Sequence, residues 1–301
     1  MTNITIGFIG IGNMGWPMAS NVLRGCYPVI VYDADRDRAR SFSTEHDGAK
    51  YADTLKELGK TADVVITMLP DGKAVRSVML EHEGGGLVQS LASGSLLIDM
   101  SSSDPIGTRE LGNELKKYGI QFVDAPVSGG VPGARDATLA IMIGSDERDA
   151  VGRATPLLEL LGTRLFETGP LGSGHAMKSL NNYVASAGFA AASEALIIGE
   201  RFGLDPAVMV EILNVSTGRN FSTEHSIRPH VIEQAFATGF ALALLAKDVK
   251  IAADLAEGLG LNMPFSQLTS SQYLAALDYL GSGRDFTESF RFLQDQAHSK
   301  K

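Results

Sequence analysis

The residues with the clearest chemical potential form a glycine-rich turn near the amino terminus. The turn has the spacing G-x-G-x-x-G and consists of Gly10, Ile11, Gly12, Asn13, Met14 and Gly15. In a strand–turn–helix unit, the first glycine makes a tight turn, the second admits a pyrophosphate and the third allows close packing. The N–H groups at the start of the helix then attract phosphate. The motif predicts a dinucleotide site, although glycine can occupy such a turn for structural reasons alone.

An acidic residue follows the next apolar run at the distance that this kind of site needs. Asp33 comes 18 residues after Gly15. At that position a carboxylate hydrogen-bonds the adenosine ribose and repels a 2′-phosphate. We therefore expect NAD as the cofactor, while Arg36 leaves NADP possible. The alternative is that Asp33 only caps the following helix.

Two further loops follow predicted strands, at the sheet edge where open α/β folds bind ligands. The residues assigned there to the nicotinamide half of the cofactor are Met68, Leu69, Pro70 and Ser101. Ordinary turn and cap residues would look the same.

The segment Ser128-Gly129-Gly130 follows another predicted strand. Consecutive backbone N–H groups in such a segment can form a concave anion site, to which the serine hydroxyl adds a donor. A substrate carboxylate fits this site. The alternative is a flexible hairpin loop.

A lysine and an asparagine interrupt an otherwise apolar helical segment. Lys178 and Asn182 are four residues apart and share a helical face, and His175 lies one turn before Lys178. Burial beside a cation lowers the pKa of a lysine, which suits it to exchange a proton with a hydroxyl group. We expect Lys178 to act in this way and His175 to make only local hydrogen bonds. A snorkelling surface lysine is the alternative.

The elements that position these residues differ between the two parts of the chain. Residues 1–174 contain 24 of the 33 glycines and eight of the 11 prolines. They alternate short β-branched runs with amphipathic segments, which indicates a doubly wound, mostly parallel α/β sheet of the Rossmann type. Later residues predict an all-α domain joined by a long interdomain helix at about 175–202. We place the domains at 1–168 (cofactor binding) and 169–301 (substrate binding and dimerisation).

Composition narrows the class of partner. The net charge of −9 argues against nucleic acid and anionic membrane as partners, and a small-molecule substrate is expected. A single cysteine excludes an intrachain disulfide and a thiolate metal cluster, and no metal site is predicted. No apolar run reaches the roughly 18 residues of a membrane span. A cytoplasmic protein is expected.

Four motifs together resemble the β-hydroxyacid dehydrogenase family, which includes 3-hydroxyisobutyrate dehydrogenase, tartronate semialdehyde reductase and glyoxylate/succinic semialdehyde reductase. They are GIGNMGWPMA at 10–19, DAPVSGG at 124–130, GSGHAMKSLNN at 172–182 and the Lys-Asp pair at 247–248. The resemblance extends over nearly the whole chain.

The resemblance implies roles for individual residues. Lys178 matches the catalytic lysine, Ser128 and Gly129 the carboxylate-binding loop, and Asn182 a second substrate ligand. Lys247 matches a lysine close to both nicotinamide and substrate; from the sequence alone it is a charged residue at a helix start. Phe221 stands where 3-hydroxyisobutyrate dehydrogenases have tryptophan, so a different small semialdehyde is equally possible. A homodimer or homotetramer paired through the helical domain is implied.

These observations predict reversible hydride transfer between NAD and the hydroxyl carbon of a small 3-hydroxy acid, with Lys178 as general acid/base. Two alternatives remain open. One is a redox-silent NAD-binding interaction protein on the same fold, against which the presence of Lys178 argues. The other is an enzyme of the 6-phosphogluconate dehydrogenase type, which would need a basic phosphate-binding cluster.

Overall fold

A computed structural model describes residues 4–82 and 86–298. Gly84 and Gly85, expected in a turn, lie outside these residues. The chain forms two compact units, which divide between Lys178 and Ser179. Among the described residues, no helix combines the length and the apolar character that a membrane span requires.

The first unit is built on a nine-stranded sheet, and six of its strands lie where the alternating pattern predicts them. Hydrogen bonding orders the strands β3-β2-β1-β4-β5-β6-β8-β7, and β9 pairs with β8. Pairing is parallel except where β8 meets β6 and β7. The strands are β1 (Ile6–Ile9), β2 (Val29–Tyr32), β3 (Lys50–Tyr51), β4 (Val64–Thr67), β5 (Leu96–Asp99), β6 (Gln121–Asp124), β7 (Val127–Ser128), β8 (Leu139–Gly144) and β9 (Gly162–Gly169).

Side chains of the central strands point alternately to the two faces of the sheet, and each face has its own buried core. Ile6 and Phe8 of β1 belong to one buried cluster, whereas Ile9 belongs to the other. Successive side chains of a strand point to opposite faces, so the sheet is covered on both sides. The helices of this unit are α1 (Gly15–Arg24), α2 (Arg36–Glu45), α3 (Leu55–Thr61), α4 (Gly72–Arg76), α5 (Pro105–Lys116), α6 (Gly130–Asp136) and α7 (Arg148–Leu158). The predicted doubly wound α/β fold is confirmed.

The helical region begins with α8 (Ser173–Phe202), the long helix that the apolar pattern predicts. It continues through α9 (Pro206–Val215), α10 (Phe221–His225), α11 (Leu242–Gly258), α12 (Pro264–Leu280) and α13 (Ser289–His298). Two buried clusters fill the second unit, one around Phe189 and one around Tyr273. Short π-helical turns stand at Ser77–Glu81 and Ile227–Ile232, and 3₁₀ turns at Leu87–Gln89 and Phe286–Glu288.

One predicted helix boundary is wrong in a way that concerns a site residue. We expected Lys247 to open a helix, but α11 begins at Leu242, five residues earlier. The apolar residues just before Lys247 belong to that helix. Three of them, Leu242, Leu245 and Ala246, are buried, which stabilises the helix from Leu242 onwards. Lys247 is therefore an interior residue of α11 rather than a residue at its start.

Candidate active site

The glycine-rich turn connects β1 to α1 with the geometry that its spacing predicts. Gly10 has a φ of +88°, and a side chain there would meet Met68 O at 2.5 Å. A Cβ at Gly15 would collide with the backbone of Gly10. A Cβ at Gly12 would have nothing within 4 Å. Two glycines are therefore required by the fold, whereas Gly12 keeps open a space that protein atoms do not fill.

The start of α1 lacks a capping side chain. Met14 precedes the helix without a side-chain cap, and the first turn contains no acidic residue. A groove of about 700 Å³ begins there at Gly12 and Asn13 and continues along α1 towards α2 and α6. Its charged and aromatic lining consists of Trp16, Arg24, Arg38, His46 and Arg135. A helix amino terminus beside guanidinium groups suits the phosphates of a dinucleotide, so the residues fit that cofactor.

Asp33 immediately follows β2 and faces the glycine-rich turn. Its Oδ2 accepts a hydrogen bond from the backbone N–H of Ile11 at 2.9 Å. The cap of α2 is Asp35, which accepts from the N–H of Arg38, so the alternative interpretation of Asp33 as the helix cap is wrong. The guanidinium that reaches Asp33 belongs to Arg38, whose Nη1 lies 3.4 Å from Oδ1. Arg36 opens α2 and is exposed.

The two loops assigned to the nicotinamide half are joined to each other. Leu69 donates its N–H to Oγ of Ser101 at 2.9 Å, and Ser101 is fully buried. Ser101 therefore holds the loop after β4, while Met68 and Leu69 are half-buried and Pro70 is exposed. Asp71 caps α4 by accepting from the N–H of Ala74, the ordinary cap function that we considered for this loop.

Ser128 ends the short strand β7 and pairs with Ala140 of β8. Gly129 and Gly130 follow with φ values of +136° and +62°, and both are exposed. β7 and β8 pair antiparallel as in a hairpin, and α6 begins at Gly130 in the connection between them. Residues other than glycine rarely adopt a φ of +136°, so this backbone favours glycine at position 129.

Lys178 is half-buried in the second turn of α8, and the start of that helix is anchored on the sheet. Asp124 accepts hydrogen bonds from the N–H groups of Gly172 at 2.7 Å and His175 at 2.8 Å. His175 does not bond locally as we expected. Its ring is buried, and Nδ1 lies 2.9 Å from Oγ1 of Thr108 in α5.

The remaining predicted substrate residues belong to the second unit. Asn182 is buried and donates from Nδ2 to Oδ2 of Asp248 at 2.7 Å. Lys247 forms an ion pair with Oδ1 of the same carboxylate at 2.9 Å. Asp248 therefore orients both residues. Phe221 opens α10, is 66% exposed and lies against His225 with ring centroids 4.7 Å apart.

Comparison with known proteins addresses both parts of the chain. Residues 5–169 match the model of the NAD-binding domain of 6-phosphogluconate dehydrogenase. Residues 172–293 match the model for the NAD-binding region of NADP-dependent 3-hydroxyisobutyrate dehydrogenase. The chain belongs to the β-hydroxyacid dehydrogenase family.

Individual members of this family align over nearly the whole chain. Mitochondrial 3-hydroxyisobutyrate dehydrogenase of Homo sapiens is 35% identical over 97% of this chain and 87% of its own length. 2-(Hydroxymethyl)glutarate dehydrogenase of Eubacterium barkeri is 33% identical over 94% of this chain and 92% of its own. The structure of Mycobacterium tuberculosis 3-hydroxyisobutyrate dehydrogenase with L-serine has a TM-score of 0.87 at 31% identity and covers 97% and 99% of the two chains.

Within this family framework, the sequence interpretation missed the carboxylates that hold the site residues. Asp99 and Asp124 end neighbouring parallel strands and are paired in register. The signal was available, because the apolar runs at 96–99 and 121–124 predict strands that end on these two aspartates. The sequence does not reveal that His175 is their partner, because it lies 51 residues from Asp124 along the chain.

Proposed function

We propose that this family member reversibly oxidises small acids of the form HOCH₂–CH(R)–COO⁻ with NAD, and that Lys178 exchanges the hydroxyl proton. The proposal is carried by one observation: Lys178 is a half-buried residue in a helix whose first turn is anchored to the sheet of the cofactor-binding unit. An amine held in this way is suited to general acid/base chemistry.

The substrate class is supported by what the names of the similar proteins have in common. 3-Hydroxyisobutyrate, 2-(hydroxymethyl)glutarate and the L-serine of the solved structure all contain a hydroxymethyl group on the carbon next to a carboxylate. They differ only in the group R. A pocket that fixes the carboxylate and leaves room for R would accept this series, with the corresponding semialdehyde as product.

The residues of this chain would divide the work as follows. Ser128 with the N–H groups of Gly129 and Gly130 binds the carboxylate, which determines the hydroxyl carbon that reacts. Lys178 accepts the hydroxyl proton during oxidation and returns it during reduction. A bound nicotinamide would supply the hydride chemistry of the reaction. Asn182, Lys247 and Phe221 remain predicted substrate-binding residues.

The preference for NAD is supported by Asp33. Its carboxylate lies beside the glycine-rich turn, where it would repel a 2′-phosphate and accept from ribose hydroxyls. Arg38 is the nearby group that would favour NADP, but it is engaged by Asp33 at 3.4 Å and by Asp35 at 3.3 Å. We propose that these ion pairs withhold Arg38 from a phosphate.

Pairing of copies through the helical unit also remains part of the proposal. Several large apolar side chains of this unit are exposed, with Ile198 at 69%, Phe202 at 85% and Val215 at 86%. Exposure on this scale is typical of an interaction surface. Sedimentation equilibrium that finds only a monomer at micromolar concentration would contradict this part.

The activity is tested by NAD-coupled turnover of a substrate panel. It contains 3-hydroxyisobutyrate, glycerate, 3-hydroxypropionate, serine, threonate and 4-hydroxybutyrate. We expect activity with members that have the hydroxymethyl group next to the carboxylate-bearing carbon. 4-Hydroxybutyrate should be poor, because its hydroxyl carbon lies one bond too far from the bound carboxylate. NADH binding without turnover of any member would favour the redox-silent alternative.

A further inference from the structure

We propose that Asp124 and His175 are positioning residues for Lys178. Together with Asp99 they form a buried cluster that fixes the first turn of α8. The inference rests on the proposed role of Lys178 but is argued from contacts that do not include the lysine itself. All four residues belong to the first unit.

Asp124 spans the start of the helix with both carboxylate oxygens. Oδ1 accepts from the N–H of Gly172, and Oδ2 accepts from the N–H of His175. These N–H groups have no partner within a helix at its amino terminus, and a carboxylate there also complements the positive end of the helix. Because Asp124 is the last residue of β6, it ties α8 to the centre of the sheet.

The imidazole of His175 adds one hydrogen bond and one close approach to a second carboxylate. Nδ1 of His175 lies 2.9 Å from Oγ1 of Thr108, which is also within hydrogen-bond distance of Asp104 O. Nε2 is buried, lacks a hydrogen-bond partner among the described residues, and lies 3.6 Å from Oδ2 of Asp99. The first turn of α8 therefore faces β5, β6 and α5 at once.

Anchoring the start of α8 in this way requires two carboxylates to be buried next to each other, which is energetically unfavourable. Asp99 and Asp124 are both almost fully buried and stand in register on adjacent strands. Burial raises the pKa of Asp124, and the nearby Asp99 charge raises it further, while His175 and the two N–H groups oppose the shift. Elsewhere in the chain a local side chain suffices, such as Thr54 before α3 or Asn220 before α10.

Glycines let the helix and the strands approach closely enough for these contacts. A Cβ at Gly144 would lie 2.8 Å from Oγ of Ser173, and one at Gly174 would lie 2.8 Å from Oδ2 of Asp124. Lys178 is four residues beyond Gly174, about 6 Å further along the helix axis. A displacement of the first turn would be passed to Lys178, and a misplacement of about 1 Å can reduce turnover about 100-fold.

The test compares Asp124→Asn with Asp146→Asn. Asp146 accepts from the N–H of Leu171 at 3.1 Å, one residue before the Asp124 contact, but its carboxylate is half-exposed and lies outside the cluster. We expect Asp124→Asn to lower kcat about 10- to 100-fold with the KM for NADH changed less than about twofold. Asp146→Asn should leave both within about twofold of the original chain.

His175→Asn serves as a second variant if Asp124→Asn does not fold. The asparagine amide can still donate to Thr108 but lacks the group that faces Asp99. We expect a kcat loss of about three- to tenfold with NADH binding retained. Unchanged kcat in His175→Asn and in any folded Asp124→Asn would overturn the inference.

A readout on Lys178 itself separates this inference from the proposed function. The rate of Lys178 acetylation by acetic anhydride, measured by peptide mass spectrometry against the exposed Lys60, should change in Asp124→Asn and not in Asp146→Asn. An unchanged rate overturns the positioning role even if turnover falls. A changed rate, together with full activity of Lys178→Ala, would support the positioning role and refute Lys178 as the acid/base.

Discussion

The amino termini of α1 and α8 differ in whether a side chain of the protein accepts hydrogen bonds from their backbone N–H groups. At α1 there is no capping side chain, no acidic residue in the first turn, and open space above Gly12. At α8 a buried carboxylate from β6 already accepts two of the N–H groups. The first helix is left open for an anion that comes from outside the chain, whereas the second is closed by the chain's own anion. Under the proposed function, the first helix start would bind a ligand and the second anchors the turn that precedes Lys178.

Replacing Gly174 by alanine tests the closed start and should have the largest effect on stability. Alanine normally stabilises a helix interior relative to glycine by about 1 kcal/mol. Here the new methyl group would meet Met142 O and Asp124, so we expect destabilisation by about 1–3 kcal/mol. Urea unfolding measures it.

Gly152→Ala provides the matched control for this substitution. Gly152 lies inside α7, and its Cβ would have nothing within 4 Å. We expect this variant to be more stable by about 0.5–1 kcal/mol. If both variants gained stability equally, the close approach at Gly174 would be contradicted.

Gly12→Ala tests the open start. Because a Cβ there touches no protein atom, the free energy of unfolding should stay within about 0.5 kcal/mol of the original chain. The methyl group would instead occupy the space through which the cofactor phosphates approach, so the KM for NADH should rise at least about tenfold. Unaltered NADH binding would mean that the phosphates do not lie at this turn.

These contrasts also mark the limit of sequence interpretation. The glycine-rich turn was readable because its function depends on neighbours within six residues. The Asp99–His175–Asp124 cluster was not, because strand register and a 51-residue separation bring its members together. Strand β9 was missed as well, since most of its residues are exposed and it shows no apolar alternation. The boundary of α11 was misplaced because an apolar run does not reveal where a helix begins.

Asp33→Ala tests which group beside the turn before α1 discriminates between NADH and NADPH. Of the substitutions at or beside this turn, it should change the kinetic constants least. Removing the carboxylate releases Arg38 from one of its two ion pairs. We expect the ratio of kcat/KM for NADPH to that for NADH to rise about tenfold, as one charge-assisted contact would produce. The double variant Asp33→Ala with Arg38→Ala should lose most of that gain. A gain of the same size in the double variant would exclude Arg38 as the discriminating group.

Lys178→Ala tests the central claim most directly, with kcat and the KM for NADH measured on the most active member of the substrate panel. Loss of a general acid/base typically lowers turnover by two to four orders of magnitude. We expect a kcat reduction of about 10²- to 10⁴-fold while the KM for NADH stays within about threefold, because the proposed site of the cofactor phosphates is at α1. A variant that turns over at the rate of the original chain would contradict the assignment of Lys178 as the residue that exchanges the hydroxyl proton.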